Sequence, residues 1–195
     1  MENLAGYLNN YDEAKLVKVG ISHYQFEAIH PFRDGNGRLG RLLIVLYLCQ
    51  QGIISQPLFY ISAFFDNYRE DYEAKLKQVS TEGKIEAWLR FFLSGVKKQA
   101  DDAVLRVEMM ESLREKYRQK VLGFSQSTTA LQVIDLLFEN PFLTISEAKE
   151  KLNCHYPKAK YNIEKLLSAG IIKEIKREKG GRLFVAEEIQ EILEV

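Results

Sequence analysis

Apolar positions recur at helical spacing along most of the chain. Leu4 and Leu8, four apart, predict a short amphipathic helix over residues 3–10. From Asp12 to Ile29 a second helix is expected, with Leu16, Val19, Tyr24, Phe26 and Ile29 on its apolar face. Pro31 stops it, because proline disfavours helix in the residue before it. Residues 38–51 read RLGRLLIVLYLCQQ and are apolar nearly all round beyond Arg41, which predicts a helix in the middle of a domain, ended by Gly52. Residues 58–65 are aromatic and apolar and lead into a charged helix over 66–79. A long helix follows from Ile85 to Val121, with Trp88, Phe91, Phe92 and Val96 facing the core before its later turns become charged.

The composition shifts at residues 123–129, GFSQSTT, which read as a linker ending in a helix-capping signal. Three short helices are expected beyond it, at 128–139, 145–152 and 156–169. Two β-like strips, 171–176 and 182–186, are joined by Glu178, Lys179, Gly180 and Gly181, and Gly-Gly between such strips predicts a hairpin. Three helices followed by a hairpin is a winged helix-turn-helix pattern. The expected fold class is therefore mainly α, a helical bundle followed by a small winged helix-turn-helix domain with a β-hairpin wing. The expected boundaries are 1–121 for the bundle, 122–127 for the linker and 128–195 for the winged helix.

The composition adds mostly exclusions. Of 195 residues, 46% are hydrophobic and 28% charged, which suits an ordinary globular chain, and the formal net charge is zero. Any nucleic-acid surface must then be a local patch. Cys49 sits in an apolar run and Cys154 in a polar turn, without the spacing of a zinc site or a disulfide framework. No stretch approaches the roughly 18 apolar residues of a membrane span. No basic start followed by an apolar block opens the chain. A reducing, cytoplasmic location is the expectation, with no membrane partner.

The chemistry concentrates in residues 30–41, HPFRDGNGRLGR. Gly35 to Gly40 fits G-x-G-x-x-G, and Gly35 to Leu42 nearly fits a P-loop, but both motifs require a preceding strand and here the preceding segment has helical period. Gly35 and Gly37 allow positive φ and close approach. A Gly-Asn-Gly turn opening a helix presents unpaired N–H groups at the positive end of the helix dipole, an anion site. Arg38 and Arg41 share a helix face and, beside such a nest, suit a polyphosphate. Asp34 next to phosphate calls for a cation between them, as Mg²⁺ is usually held. His30 can exchange a proton near neutral pH. Taken singly, a histidine before proline is a helix end, Gly-Asn-Gly is a turn and an arginine pair is a solvated face. Within twelve residues they make the set that phosphoryl or nucleotidyl transfer requires.

This stretch resembles the signature of the Fic (filamentation induced by cAMP) domain family, H-P-F-x-[D/E]-G-N-G-R-x-x-R, at every defined position. The resemblance extends to Ala28-Ile29 before the loop, to the apolar helix after it, to Tyr72 and to Trp88-Leu-Arg-Phe-Phe-Leu, covering residues 1–121. It implies a Fic-type helical bundle and protein adenylylation: AMP passes from ATP to a Ser, Thr or Tyr hydroxyl of a target protein. By that resemblance His30 is the general base and Asp34 holds Mg²⁺ bridging the phosphates. Gly35, Asn36 and Gly37 cradle phosphate oxygens, Arg38 and Arg41 neutralise the β- and γ-phosphates, and Phe32 points inward as the loop anchor. Gly37 separates the chain from Doc-type kinases, which carry lysine there. Tyr60, Tyr68 and Tyr72 are the candidates for the nucleobase pocket, and Glu73 stands where a second tyrosine is frequent.

Two family features find no match. Only 29 residues precede His30, with no candidate for the β-hairpin flap that aligns a target peptide. The inhibitory pattern [S/T]-x-x-x-E-[G/N] is missing, because Ser22 is followed four residues later by Phe26 and Ser112 by Lys116. An N-terminally truncated Fic core is therefore expected, and an inhibitory partner is the other candidate source of control. Many Fic proteins also carry a winged helix after the core. Here its second helix bears Lys158, Lys160 and Lys165, and the wing bears Lys173, Lys176, Arg177, Lys179 and Arg182. Those basic residues are candidate DNA contacts, diluted by Glu164, Glu174 and Glu178, so DNA and protein both stand as partners of this module. The alternative to the enzyme is a nucleotide-sensing, DNA-binding transcription regulator with a catalytically silent Fic core.

Overall fold

The helical periods in the sequence become helices in the computed structural model of the chain, which describes residues 1–10, 13–55, 60–123, 127–175 and 181–194. Asp12, residues 58–59, the linker positions 124–126 and Lys176, Arg177 and Lys179 of the expected wing lie outside the described residues. The chain divides into two compact units, Met1–Ala103 and Val104–Val195.

The first unit contains α1 (Glu2–Asn10), α2 (Lys15–Ile29), α3 (Asn36–Gln50), α4 (Ile61–Asn67), α5 (Arg69–Glu82) and the first part of α6 (Ile85–Leu122). The charged segment expected to continue from the aromatic one is a separate helix, because the backbone turns at Tyr68, the end of α4 and the start of α5. Gly52 and Gly83, both at positive φ, follow the ends of α3 and α5. Val19, Ile44, Leu48, Ile61, Phe65, Trp88 and Phe92 form the buried centre. Trp88 Nε1 donates to the Gly20 carbonyl at 2.9 Å, so the largest core side chain is also fixed to the backbone of α2. A Cβ at Gly20 would meet the Phe92 ring at 2.8 Å, which explains the glycine in mid-helix. The sequence predicts α3 at the middle of the bundle. It is instead one-sided: Ile44, Tyr47 and Leu48 are buried, whereas Leu39, Leu42 and Leu46 stand exposed because no described element packs on that flank.

The second unit takes the rest of α6, whose Leu113, Tyr117 and Val121 enter its core. It continues with α7 (Thr128–Glu139), β1 (Phe142–Thr144), α8 (Ile145–Lys151), α9 (Tyr156–Ser168), β2 (Lys173–Ile175), β3 (Leu183–Val185) and α10 (Glu187–Glu194). The expected helices and the two β-like strips fall where the sequence places them. The sheet is antiparallel in the order β1-β3-β2, with Leu143 opposite Phe184 and Ile175 opposite Leu183. β1 and α10 are additions to the expected elements. β1 is only three residues long and gains its partner by tertiary pairing, and α10 buries Ile189 and Ile192 at helical spacing. Thr144 and Glu147 make a reciprocal capping box that fixes the start of α8. No helix among the described residues is long and apolar enough to cross a membrane.

Candidate functional site

Residues 30–41 form the turn between α2 and α3, the two helices that pack together most extensively in the first unit. His30 terminates α2 with φ 48° and ψ 58°, and its N–H donates to the Phe26 carbonyl at 3.0 Å. A left-handed conformation is uncommon for a residue with a side chain and is concentrated at functional positions. Pro31 disfavours the right-handed helical region for the residue before it, so α2 ends here. The imidazole is thereby turned off the end of the helix into solvent-exposed space.

Gly35 starts α3 at φ 83°, and its carbonyl accepts the first helical hydrogen bond, from Leu39 N–H at 3.0 Å. Only glycine adopts that angle without cost. No side chain caps this helix start. The N–H groups of Asn36, Gly37 and Arg38 in the first turn therefore have no acceptor within the helix. The Gly35 N–H is already committed, donating to Asp34 Oδ1 at 2.7 Å. A Cβ at Gly37 would lie 3.4 Å from Arg41 Nη1, and one at Gly35 would lie 3.5 Å from Arg38 Nη2. Both guanidinium groups thus lie over the glycine turn, as an anion site requires.

One expected role is confined to the backbone and another changes. Asn36 does not offer its side chain to a ligand. It is buried, accepts from Phe32 N–H through Oδ1 at 2.9 Å and donates through Nδ2 to the Phe32 carbonyl at 2.6 Å. This reciprocal pair closes the loop on itself, so Asn36 is the anchor, and only its backbone N–H remains for an anion. Phe32, expected to point inward, is 50% exposed and leans on Phe26 at 6.5 Å between ring centroids. The loop needs no buried ring because Asn36 holds the Phe32 backbone.

Asp34 and Arg38 face each other at 3.5 Å, both well exposed, a contact that in water contributes little. Both side chains can therefore turn to a ligand at small cost. Among the described residues no group of three or more His, Cys, Asp or Glu is placed to hold a metal ion. Asp34 is a lone carboxylate beside an N–H nest, and a Mg²⁺ ion there would draw its other ligands from phosphate and water.

The tyrosine candidates separate. Tyr60 and Tyr68 are exposed, and Lys98 Nζ donates to the Tyr68 hydroxyl at 3.3 Å. Tyr72 is buried, stacked on Phe65 at 4.5 Å, with its hydroxyl 2.9 Å from His23 Nε2. It belongs to the core beneath the loop, not to an open nucleobase pocket. His23 and Glu27, which sequence reasoning passed over, flank Gly40 there: a Cβ at Gly40 would lie 3.2 Å from His23 Nδ1 and 2.3 Å from Glu27 Oε1. The available signal was spacing, since His23, Glu27 and His30 succeed one another at one-turn intervals along α2.

Burial pushes the His23 imidazole down to about 4, with Arg41 adding to the effect and the Gly40 backbone opposing it. The unfolded chain therefore takes up this proton first as pH falls, and stability is lost from about pH 6.5 down to about 4. Urea unfolding of the first unit should show a loss of about 1 to 1.5 kcal/mol between about pH 7.5 and 5.5, a slope that His23→Gln removes.

In the second unit Arg182 is held by Glu174 at 2.7 Å and by Glu164 at 3.1 Å, and Lys160 lies 3.8 Å from Glu164. Lys173 is paired with Glu187. Lys165 lies over the Tyr161 ring at 4.6 Å, and Lys158 is exposed. Of these candidates Lys160, Lys173 and Arg182 thus each stand beside a glutamate.

The sequence model of the Fic/DOC family matches residues 1–48. A probable protein adenylyltransferase of Aquifex aeolicus (strain VF5) is 28% identical over 123 residues, 58% of this chain and 38% of that protein. The protein adenylyltransferase Fic of Nematostella vectensis is 41% identical over 73 residues, 37% of this chain and 16% of that protein. The crystal structure of a Fic family protein from Desulfovibrio desulfuricans G20 aligns with a TM-score of 0.50 at 22% identity, over 94% of this chain and 53% of the other. The chain thus spans well under two thirds of the length of each.

Proposed function

We propose that this chain, whose first 48 residues match the Fic/DOC family model, is a Fic-domain adenylyltransferase which moves AMP from ATP to a hydroxyl of a target protein. The observation that carries the proposal is the turn itself: an uncapped helix start, two guanidinium groups lying on it and an imidazole at the end of the neighbouring helix. The amides of Asn36, Gly37 and Arg38 would receive phosphate oxygens, with Arg38 and Arg41 balancing the charge of the leaving pyrophosphate. Asp34 would turn from Arg38 to a Mg²⁺ ion, which supplies further charge neutralisation on the phosphates. His30 would take the proton of a Ser, Thr or Tyr hydroxyl as its oxygen bonds to the α-phosphorus. The bond from that phosphorus to the bridging oxygen breaks, and pyrophosphate departs.

For the second unit the reading is a winged-helix module whose partner is DNA or a protein, since the exposed ion pairs of Lys160, Lys173 and Arg182 can open to either at small cost. The test is incubation of the full chain with lysate and ATP labelled at either the α- or the γ-phosphate. Adenylyl transfer puts only the α-label on protein. Transfer of the γ-label would mean a kinase, and ATP binding without transfer to any protein would favour a nucleotide-sensing regulator.

A further inference from the structure

Gly40 is buried in α3 one turn after Asn36, and its backbone is helical, so space and not conformation explains the glycine. A Cβ there would come within 2.3 Å of Glu27 Oε1 and 3.1 Å of His23 Cε1, both on α2. The His23 ring has nowhere to retreat. It is wholly buried, its Nε2 lies 2.9 Å from the Tyr72 hydroxyl, and it stacks on Phe65 at 5.6 Å and on Trp88 at 5.9 Å. Trp88 is itself bonded to the Gly20 carbonyl. Glu27 Oε1 is buried in the same cleft. A methyl group added at Gly40 would therefore push α3 off α2, because a close-packed interior yields little. The two helices carry different parts of the site. The uncapped amides, Arg38 and Arg41 ride on α3, whereas His30 ends α2. How closely the helices approach at Gly40 thus sets where the base stands relative to the anion site.

We propose that Gly40 is a positioning residue: its missing side chain lets α3 seat against His23 and Glu27, and that seating fixes the spacing between the amides of the turn and His30. The proposal rests on the adenylyl-transfer reading.

The test is kinetic, on the full chain with folding checked by the amide spectrum. Gly40→Ala should lower kcat for AMP transfer about tenfold, since small displacements of reacting groups are costly, while KM for ATP stays within about twofold because the anion site moves as one body. Removing the Glu27 side chain frees part of the space, so in a Glu27→Ala background the same substitution should cost only about threefold. Gly95→Ala is the control for overpacking. Its Cβ would meet Phe64 Cδ1 at 2.4 Å, between α6 and α4 of the same unit. It should lower the thermal midpoint yet leave kcat within about twofold. An unchanged kcat in Gly40→Ala, a KM that rises in step with the loss, an equal loss in both Glu27 backgrounds, or the same loss in Gly95→Ala overturns the proposal. Should Gly40→Ala alone not fold, the double variant measured against Glu27→Ala must show the same fall in kcat at steady KM, or the proposal fails. A wild-type chain that transfers no AMP overturns the proposed function, and this proposal falls with it.

Discussion

Replacing His30 by alanine is expected to lower AMP transfer about 100- to 10,000-fold, the range that a positioned general base contributes. The fold should be unaffected, because the imidazole is exposed and makes no described contact that holds the loop. The backbone supplies a sharper control. His30 sits at φ 48°, a region that favours glycine. His30→Gly should therefore be at least as stable as the wild type and as inactive as the alanine variant. Label transfer from α-labelled ATP, read beside the thermal midpoint, checks both. A variant that kept a tenth of the activity would assign the proton to another group.

Trp88→Ala should cost the first unit about 3 to 5 kcal/mol, as full truncation of a buried large aromatic does. Trp88 is wholly buried in contact with Phe65, Tyr72 and Phe92, and its indole N–H is bonded to Gly20 on the helix that ends in His30. Its removal leaves a cavity and takes away the hydrogen bond to Gly20. The two units have separate buried clusters, so the loss should be local. Hydrogen exchange should speed up at Val19, Ile44 and Phe92 and stay slow at Ile134 and Ile163. A loss below about 1 kcal/mol would contradict this account of the core.

Much of this arrangement is legible in the sequence because helices carry their own period. The helices around the loop, the long helix from Ile85 and the three helices after Thr128 fall within a few residues of the boundaries that apolar spacing and capping signals predict. What escapes is whatever depends on tertiary partners. β1 is too short to announce itself, and α3 is too apolar to reveal that Leu42 and Leu46 stand exposed. The loop shows the same division. The types of residue in HPFRDGNGRLGR suggest an anion site at once, but not that Asn36 spends its amide on the Phe32 backbone, nor that Phe32 is half exposed. Spacing alone could not separate Tyr72 in the core from Tyr60 and Tyr68 at the surface, because burial is a property of the assembled helices. Nor could counting lysines show that Glu164 and Glu174 already hold Arg182.

The central claim is that the α2–α3 turn binds a triphosphate through its first-turn amides, and a backbone amide titration of the full chain with Mg²⁺ and ATP tests it most directly. The account predicts that the largest shifts fall on Asn36, Gly37 and Arg38, with the side-chain signals of Arg41 and His30 moving at the same nucleotide concentration. Saturable binding whose shifts cluster away from residues 30–41, or no shift at these amides at millimolar nucleotide, would contradict it.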